Sequence, residues 1–214
     1  MTSTSILLIV ACGLALCDWI AVGTNNRRAE FFFKPATMVP LIIAAATANS
    51  TVSNMGIWFT VALVCSLAGD VFLMLPDEEK FFVPGLGSFL VGHIAYVVGL
   101  LVGGVSAVTL VVGVVGVVIL IALVSPRIVA GAISRDRRLG TPVLAYMLII
   151  STMVACAIGS GVPLAILGAL LFYASDFAIG WSRFVTDFRG ARLFIMVTYH
   201  SAQVLLVASL LSGH

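Results

Sequence analysis

The chain has 214 residues, of which 61% are hydrophobic and 9% charged, and eleven Lys and Arg against nine Asp and Glu give a net charge of +2. Soluble domains carry roughly a quarter charged residues, so this composition, with a mean hydropathy of +1.20, excludes a soluble enzyme, a nucleic-acid binder and a disordered scaffold. The hydrophobicity comes in long unbroken runs and not in the ~10-residue alternating segments of a membrane barrel, which leaves an all-α polytopic membrane protein, a single domain over 1–214.

The first apolar run, about 5–22, reads as a retained helix. Met1 to Ser5 has no positive n-region, and Leu16-Cys17 at its end lacks the small residue a cleavage point needs. At about 20 residues per span, seven more segments follow near 34–48, 54–75, 82–102, 105–124, 139–159, 162–181 and 191–212. The second opens at Lys34-Pro35, where proline is tolerated because a first-turn N–H has no helical partner. Gly103-Gly104 and Gly159-Ser160-Gly161 predict tight turns that pack helix four against five and six against seven. Cys12, Cys17, Cys65 and Cys156 all fall inside apolar runs without metal-type spacing and read as small buried hydrophobes.

The cations orient these eight spans. Arg27, Arg28 and Lys34 follow helix one, Lys80 follows three, Arg127, Arg135, Arg137 and Arg138 follow five, and Arg183, Arg189 and Arg192 follow seven. All eleven then share one side, which the positive-inside rule makes cytoplasmic, with both termini outside; in a bacterium the membrane would be the cell membrane. A self-shift of about half the length aligns Pro35 with Pro142, Ile42-Ile43 with Ile149-Ile150, Asp70 with Asp176 and His93 with His200. It reads as a 4+4 parallel duplication about an axis along the membrane normal.

Ionisable side chains inside a bilayer are costly and mark function by default. Asp70 and Asp176 fall within about two turns of the cytoplasmic ends of helices three and seven, and His93 and His200 about 13 to 16 Å in from the same side. Asp18, a turn from the end of helix one, reads as an interfacial residue. Ser66 shares the face of Asp70, and Gly69 permits close backbone approach. Gly85, Ser88, Gly92 and Tyr96 form a stripe beside His93, Phe172 shares a face with Asp176, and Tyr199 and Gln203 share one beside His200. Small residues at this spacing serve helix packing, whereas two carboxylates need partners whether they are catalytic or form a structural Asp–His or Asp–Tyr lock.

Taken together, Ser66-Leu67-Ala68-Gly69-Asp70, the run from Gly85 to His93 with Tyr96, Ser175-Asp176, Thr198-Tyr199 with Ala202-Gln203, and Lys34-Pro35 resemble the YhhN family, which includes the TMEM86 lysoplasmalogenases. Where that family is often aromatic beside the helix-eight tyrosine, this chain has His200. The resemblance implies an eight-helix membrane hydrolase that cleaves the vinyl ether bond of a lysoplasmalogen, releasing a fatty aldehyde and a glycerophospho-base. By carry-over it implies Asp70, His93 and Asp176 at the reacting centre with Tyr199 close by, and no metal or other cofactor.

Vinyl ether cleavage protonates the β-carbon and leaves an oxocarbenium ion for water to capture, so it requires an acid and a stabiliser of positive charge. Two carboxyls in different surroundings divide such labour in glycosidases, the desolvated one staying protonated. Asp70 and Asp176 are expected to divide it here, with His93 orienting a carboxylate or relaying protons. Tyr199, Ser66 and Gln203 would hold water or substrate. A single-chain lysolipid would enter among membrane lipids with its phosphate near the cations, for which Lys34 is the first candidate and Arg127, Arg183 and Arg189 are others. The residues alone also allow a small proton-coupled transporter or a hydrolase of another lysolipid.

Overall fold

The structure, a computed structural model, describes residues 3–48 and 54–211. Eight α-helices follow one another: α1 (Ser3–Gly23), α2 (Arg27–Thr47), α3 (Met55–Met74), α4 (Glu78–Gly103), α5 (Ala107–Arg135), α6 (Gly140–Ser160), α7 (Pro163–Phe184) and α8 (Ala191–Ser209), with one 3₁₀ turn (Arg137–Leu139) before α6. Each of the eight is long and apolar enough to cross a membrane, and there is no strand among the described residues. Met1 and Thr2 of the segment read as lacking a positive n-region, and Ser212, the expected last residue of the eighth span, lie outside the described residues.

Two helices differ from expectation in length, for physical reasons. α2 begins at Arg27, seven residues before Lys34, because Asn26 caps it: its side chain accepts from Ala29 N at 3.2 Å and its carbonyl from Glu30 N at 3.0 Å. Pro35 and Pro40 therefore sit inside the helix, which packed membrane helices tolerate because neighbouring groups take up the freed carbonyls. α5 runs on through Pro126 to Arg135. Its added turns retain apolar positions, and Ile128 and Ala132 pack there with Val143 and Met147 of α6.

Six helices close a ring in the order α2, α3, α4, α6, α7, α8 and back to α2. α1 lies outside against α2 and α8, and α5 outside against α6 and α7. The tight packing expected of helices four and five is not formed, whereas six does pack on seven. Gly104 turns the chain at φ +100°, and Ser106 N and Thr109 Oγ1 each reach Gly159 O at 2.9 Å, so the start of α5 is drawn onto the end of α6. The 4+4 duplication is not established. α1 covers α2 and α8, and a parallel repeat would put α5 over α6 and α4, but it covers α6 and α7.

The ring interior is aromatic. Phe59 meets Tyr96 edge-on at 4.9 Å, and Phe172 meets His93, Tyr199, Phe89 and Tyr96 between 4.5 and 6.4 Å. Gly69 makes room for this packing, since a Cβ there would stand 2.6 Å from the Phe89 ring. Of the cysteines expected to be buried, Cys12 and Cys17 are exposed on the outer side of α1, Cys65 is intermediate and Cys156 is buried. On a peripheral helix an apolar residue facing outward meets lipid at no cost, so hydrophobicity alone does not place it inside.

Candidate active site

Asp70 is 1% exposed and is held by three helices. Lys34 Nζ of α2 lies 3.1 Å from Oδ1, and the Tyr199 hydroxyl of α8 donates to Oδ2 at 2.6 Å. A carboxylate facing an ammonium at that distance is an ionised pair, and the phenol adds a charge-assisted bond. Ser66, one turn before Asp70, is buried against α4, where a Cβ on Gly92 would stand 3.4 Å from its Oγ.

Asp176 has different partners. The Tyr146 hydroxyl of α6 donates to its Oδ2 at 2.5 Å, and His93 Nε2 of α4 lies 3.4 Å from the same oxygen. His93 Nδ1 is 2.7 Å from Phe89 O. A carbonyl only accepts, so Nδ1 carries a proton. A neutral ring then turns an Nε2 lone pair toward Asp176, and an ionised carboxylate would set acceptor against acceptor. At 3.4 Å the two atoms make no hydrogen bond, and Nε2 is buried without another partner, so the ring presents a free lone pair to the carboxyl.

The two carboxylates share no hydrogen-bond partner. Phe172 stands between their surroundings, its ring 4.5 Å from His93 and 5.4 Å from Tyr199. Gln203 is fully buried and accepts from the Tyr96 hydroxyl at 2.5 Å, deeper in the ring. His200, aligned with His93 in the sequence, faces the opposite way, where its Nδ1 accepts from Trp19 Nε1 at 3.2 Å. Asp18 is not interfacial. It is 0% exposed, 3.9 Å from His200 Nδ1, because α1 presses this face against α8. Sequence reasoning also missed Tyr146, whose signal was available: it is the only aromatic residue in α6.

Two hollows adjoin the carboxylates. One is an apolar cavity lined by Leu86, Phe89, Ile128, Tyr146 and Tyr173, with Asp176 in its wall. The other is an open cleft with a largely apolar lining that bears Arg27, Lys34, Arg183 and Arg192 with Glu30 and Asp187. Leu73, Phe82 and Ile179 line both. Of the expected phosphate candidates, Lys34 and Arg183 line the cleft, Arg189 lines a neighbouring surface hollow, and Arg127 is exposed and lines neither. Glu30 fixes Arg192 at 2.6 Å and meets Arg27 at 3.5 Å. Among the described residues no three His, Cys, Asp or Glu side chains come together as metal ligands.

A ring of apolar helices enclosing two differently partnered carboxylates, beside paired apolar and cationic hollows, defines a multi-pass membrane protein with a buried cluster of ionisable side chains. The chain belongs to the YhhN family, which it matches over residues 29–210. It is 31% identical to lysoplasmalogenase TMEM86B of Mus musculus over 204 residues, covering 95% of this chain and 84% of the relative. Against the protein of that name from Rattus norvegicus it is 36% identical over 209 residues, covering 95% and 82%. A lysoplasmalogenase of Mycobacterium tuberculosis is 31% identical over 195 residues, covering 89% of this chain and 73% of the relative. No solved structure matches the chain.

Proposed function

We propose that this protein is a lysoplasmalogenase, hydrolysing the vinyl ether bond of a single-chain glycerophospholipid to a fatty aldehyde and a glycerophospho-base. The observation that carries the reading is the close approach of Asp176 to a His93 ring whose Nδ1 is committed to Phe89 O, in the wall of an apolar cavity that adjoins a cationic cleft; in this reading Asp176 carries the proton. The cleft suits the phosphate and the apolar cavity, of about 50 Å³, suits the few carbons next to the ether bond, with the rest of the tail among the membrane lipids, so that bond falls near the common wall, within reach of Asp176. Relatives over most of the chain carry the lysoplasmalogenase name.

In this reading Asp176 delivers its proton to the β-carbon of the vinyl ether, and the ether oxygen's lone pair stabilises the α-carbon as an oxocarbenium ion. The Asp176 carboxylate left behind is the counter-charge, and Tyr146, still donating to it, stabilises that charge. Water adds to the α-carbon and gives up a proton to the Asp176–His93 pair, forming a hemiacetal. On collapse the pair gives its proton to the departing glycerol oxygen and takes up the hemiacetal hydroxyl proton as the aldehyde C=O forms, so one water is consumed and the acid is restored. Asp70, neutralised by Lys34, is not the acid. It fixes the ammonium at the cleft wall, where that charge faces the phosphate side of the substrate, and Tyr199 fixes Asp70. The cationic face is cytoplasmic in this reading and both termini are outside.

The test is incubation of the purified protein with a vinyl-ether lysolipid, with the ester lysolipid of the same chain as control, in D₂O. Prompt trapping of a fatty aldehyde carrying one deuterium at the carbon next to the carbonyl is expected from the vinyl ether alone. No aldehyde, or flux of intact lipid across vesicles without product, overturns the reading.

A further inference from the structure

α5 stands outside the ring, so the side of it that α6 and α7 do not cover meets the membrane directly. Counted from Ala107, about 20 residues at ~1.5 Å each cross ~30 Å of hydrocarbon and end near Arg127. A guanidinium is costly inside hydrocarbon and stays at its edge. The turns from Arg127 to Arg135, roughly 12 Å more, therefore run through the layer of lipid headgroups.

These turns and the 3₁₀ turn after them are cationic on their open side. Four of the eleven Lys and Arg, namely Arg127, Arg135, Arg137 and Arg138, fall between positions 127 and 138 against one acid, Asp136, and all four are exposed. The Asp136 carboxylate accepts from Arg138 N at 2.9 Å as the cap of the 3₁₀ turn, and Arg135 Nη1 donates to Arg183 O. Among the described residues no carboxylate pairs with Arg127, Arg137 or Arg138. Nearer α1 the balance differs, since Glu30 pairs with Arg27 and Arg192, and Asp70 with Lys34. The apolar positions of the same turns, Ile128 and Ala132, are turned inward onto Val143 and Met147. Three guanidiniums without an acid partner are thus left facing outward at headgroup depth.

We propose that Arg127, Arg137 and Arg138 form a binding surface for phospholipids of the surrounding membrane that carry net negative charge. Charge complementarity names the occupant: each guanidinium offers paired N–H donors to a phosphate, and a zwitterionic headgroup brings an ammonium that offsets its phosphate at such a surface. Arg127 lines neither hollow beside the carboxylates, so this surface is separate from the proposed active site and stands or falls independently of the hydrolase reading.

Native mass spectrometry of the purified full chain, mixed at low salt with phosphatidylglycerol and phosphatidylcholine of identical chains, tests it by the lipid retained. The intact protein should favour phosphatidylglycerol by about tenfold, and added salt should shrink that preference. With Arg127→Gln, Arg137→Gln and Arg138→Gln combined, the preference should fall to within about twofold, and Arg127→Gln alone should fall between. Arg28→Gln, Lys80→Gln and Arg189→Gln combined remove the same charge elsewhere on this face and should leave the preference in place. Equal retention of the two lipids by the intact protein overturns the proposal. So does an unchanged preference in the folded α5 variants, or an equal loss in the control, which would make the preference a property of net charge and not of this surface.

Discussion

Asp70 and Asp176 are the same residue type, each on the ring-facing side of its helix and each met by a tyrosine hydroxyl, yet they stand in different surroundings. Asp70 is completed by an ammonium and Asp176 by an imidazole whose tautomer turns a lone pair toward it. A buried carboxylate beside Lys is a settled charge pair. A buried carboxyl beside a histidine lone pair has no such counter-charge, which is why the proposed mechanism assigns it the transferable proton. In the proposed mechanism the third group at each site, not the carboxylate itself, separates anchor from acid.

The contrast can be broken most directly at the acid. Asp176→Asn preserves shape but removes the transferable proton, and kcat for vinyl ether hydrolysis should fall by about 10²–10⁴, the usual contribution of general acid catalysis, with the thermal midpoint little changed. Asp70→Asn should act on folding first. It strands Lys34, whose side chain is 8% exposed, and breaking a buried ion pair costs about 3–5 kcal/mol, to be read from denaturant or thermal unfolding. Asp70→Asn combined with Lys34→Met should recover much of that loss. If Asp70→Asn folds normally and abolishes turnover as Asp176→Asn does, the division of roles between the two carboxylates is wrong.

Smaller effects sharpen the same comparison. Tyr146→Phe removes the donor that stabilises the Asp176 carboxylate after proton transfer, and a bond of about 1.5 kcal/mol predicts roughly a tenfold fall in kcat with KM near its original value. Tyr199→Phe should lower stability by about 1 kcal/mol, because its partner Asp70 retains Lys34. At the exposed end of the scale, Arg27 pairs with Glu30 at 3.5 Å with its own side chain 59% exposed. Arg27→Gln should change stability by no more than about 0.5 kcal/mol, as exposed pairs do, measured by the same unfolding assay.

Much of this was legible in the sequence because membrane residence is written in composition. The eight spans followed from apolar run length, and Asp70, His93 and Asp176 stood out because a bilayer makes ionisable residues conspicuous. What escaped was relational. Helix α2 was cut short at Lys34-Pro35 because Asn26 as a cap and proline inside a packed helix both depend on neighbours. Asp18 looked interfacial because sequence depth does not reveal that α8 covers it. The Gly103-Gly104 turn was visible, but the pull of Gly159 O on Ser106 and Thr109 that takes α5 away from α4 was not. Which carboxylate carries a proton was beyond periodicity altogether, since it depends on Phe89 O fixing one nitrogen of His93.

The reach of α5 has a mechanical consequence. At 29 residues and ~1.5 Å per residue it measures roughly 43 Å, against about 30 Å of hydrocarbon, so it must lean or project. Its far end is moored, with Arg135 Nη1 donating to Arg183 O at 3.1 Å and Ile128 set in the cavity wall. A thinner or thicker bilayer therefore levers on a strut whose fixed end abuts the cavity wall, which makes membrane thickness a physical input to the shape of the apolar cavity.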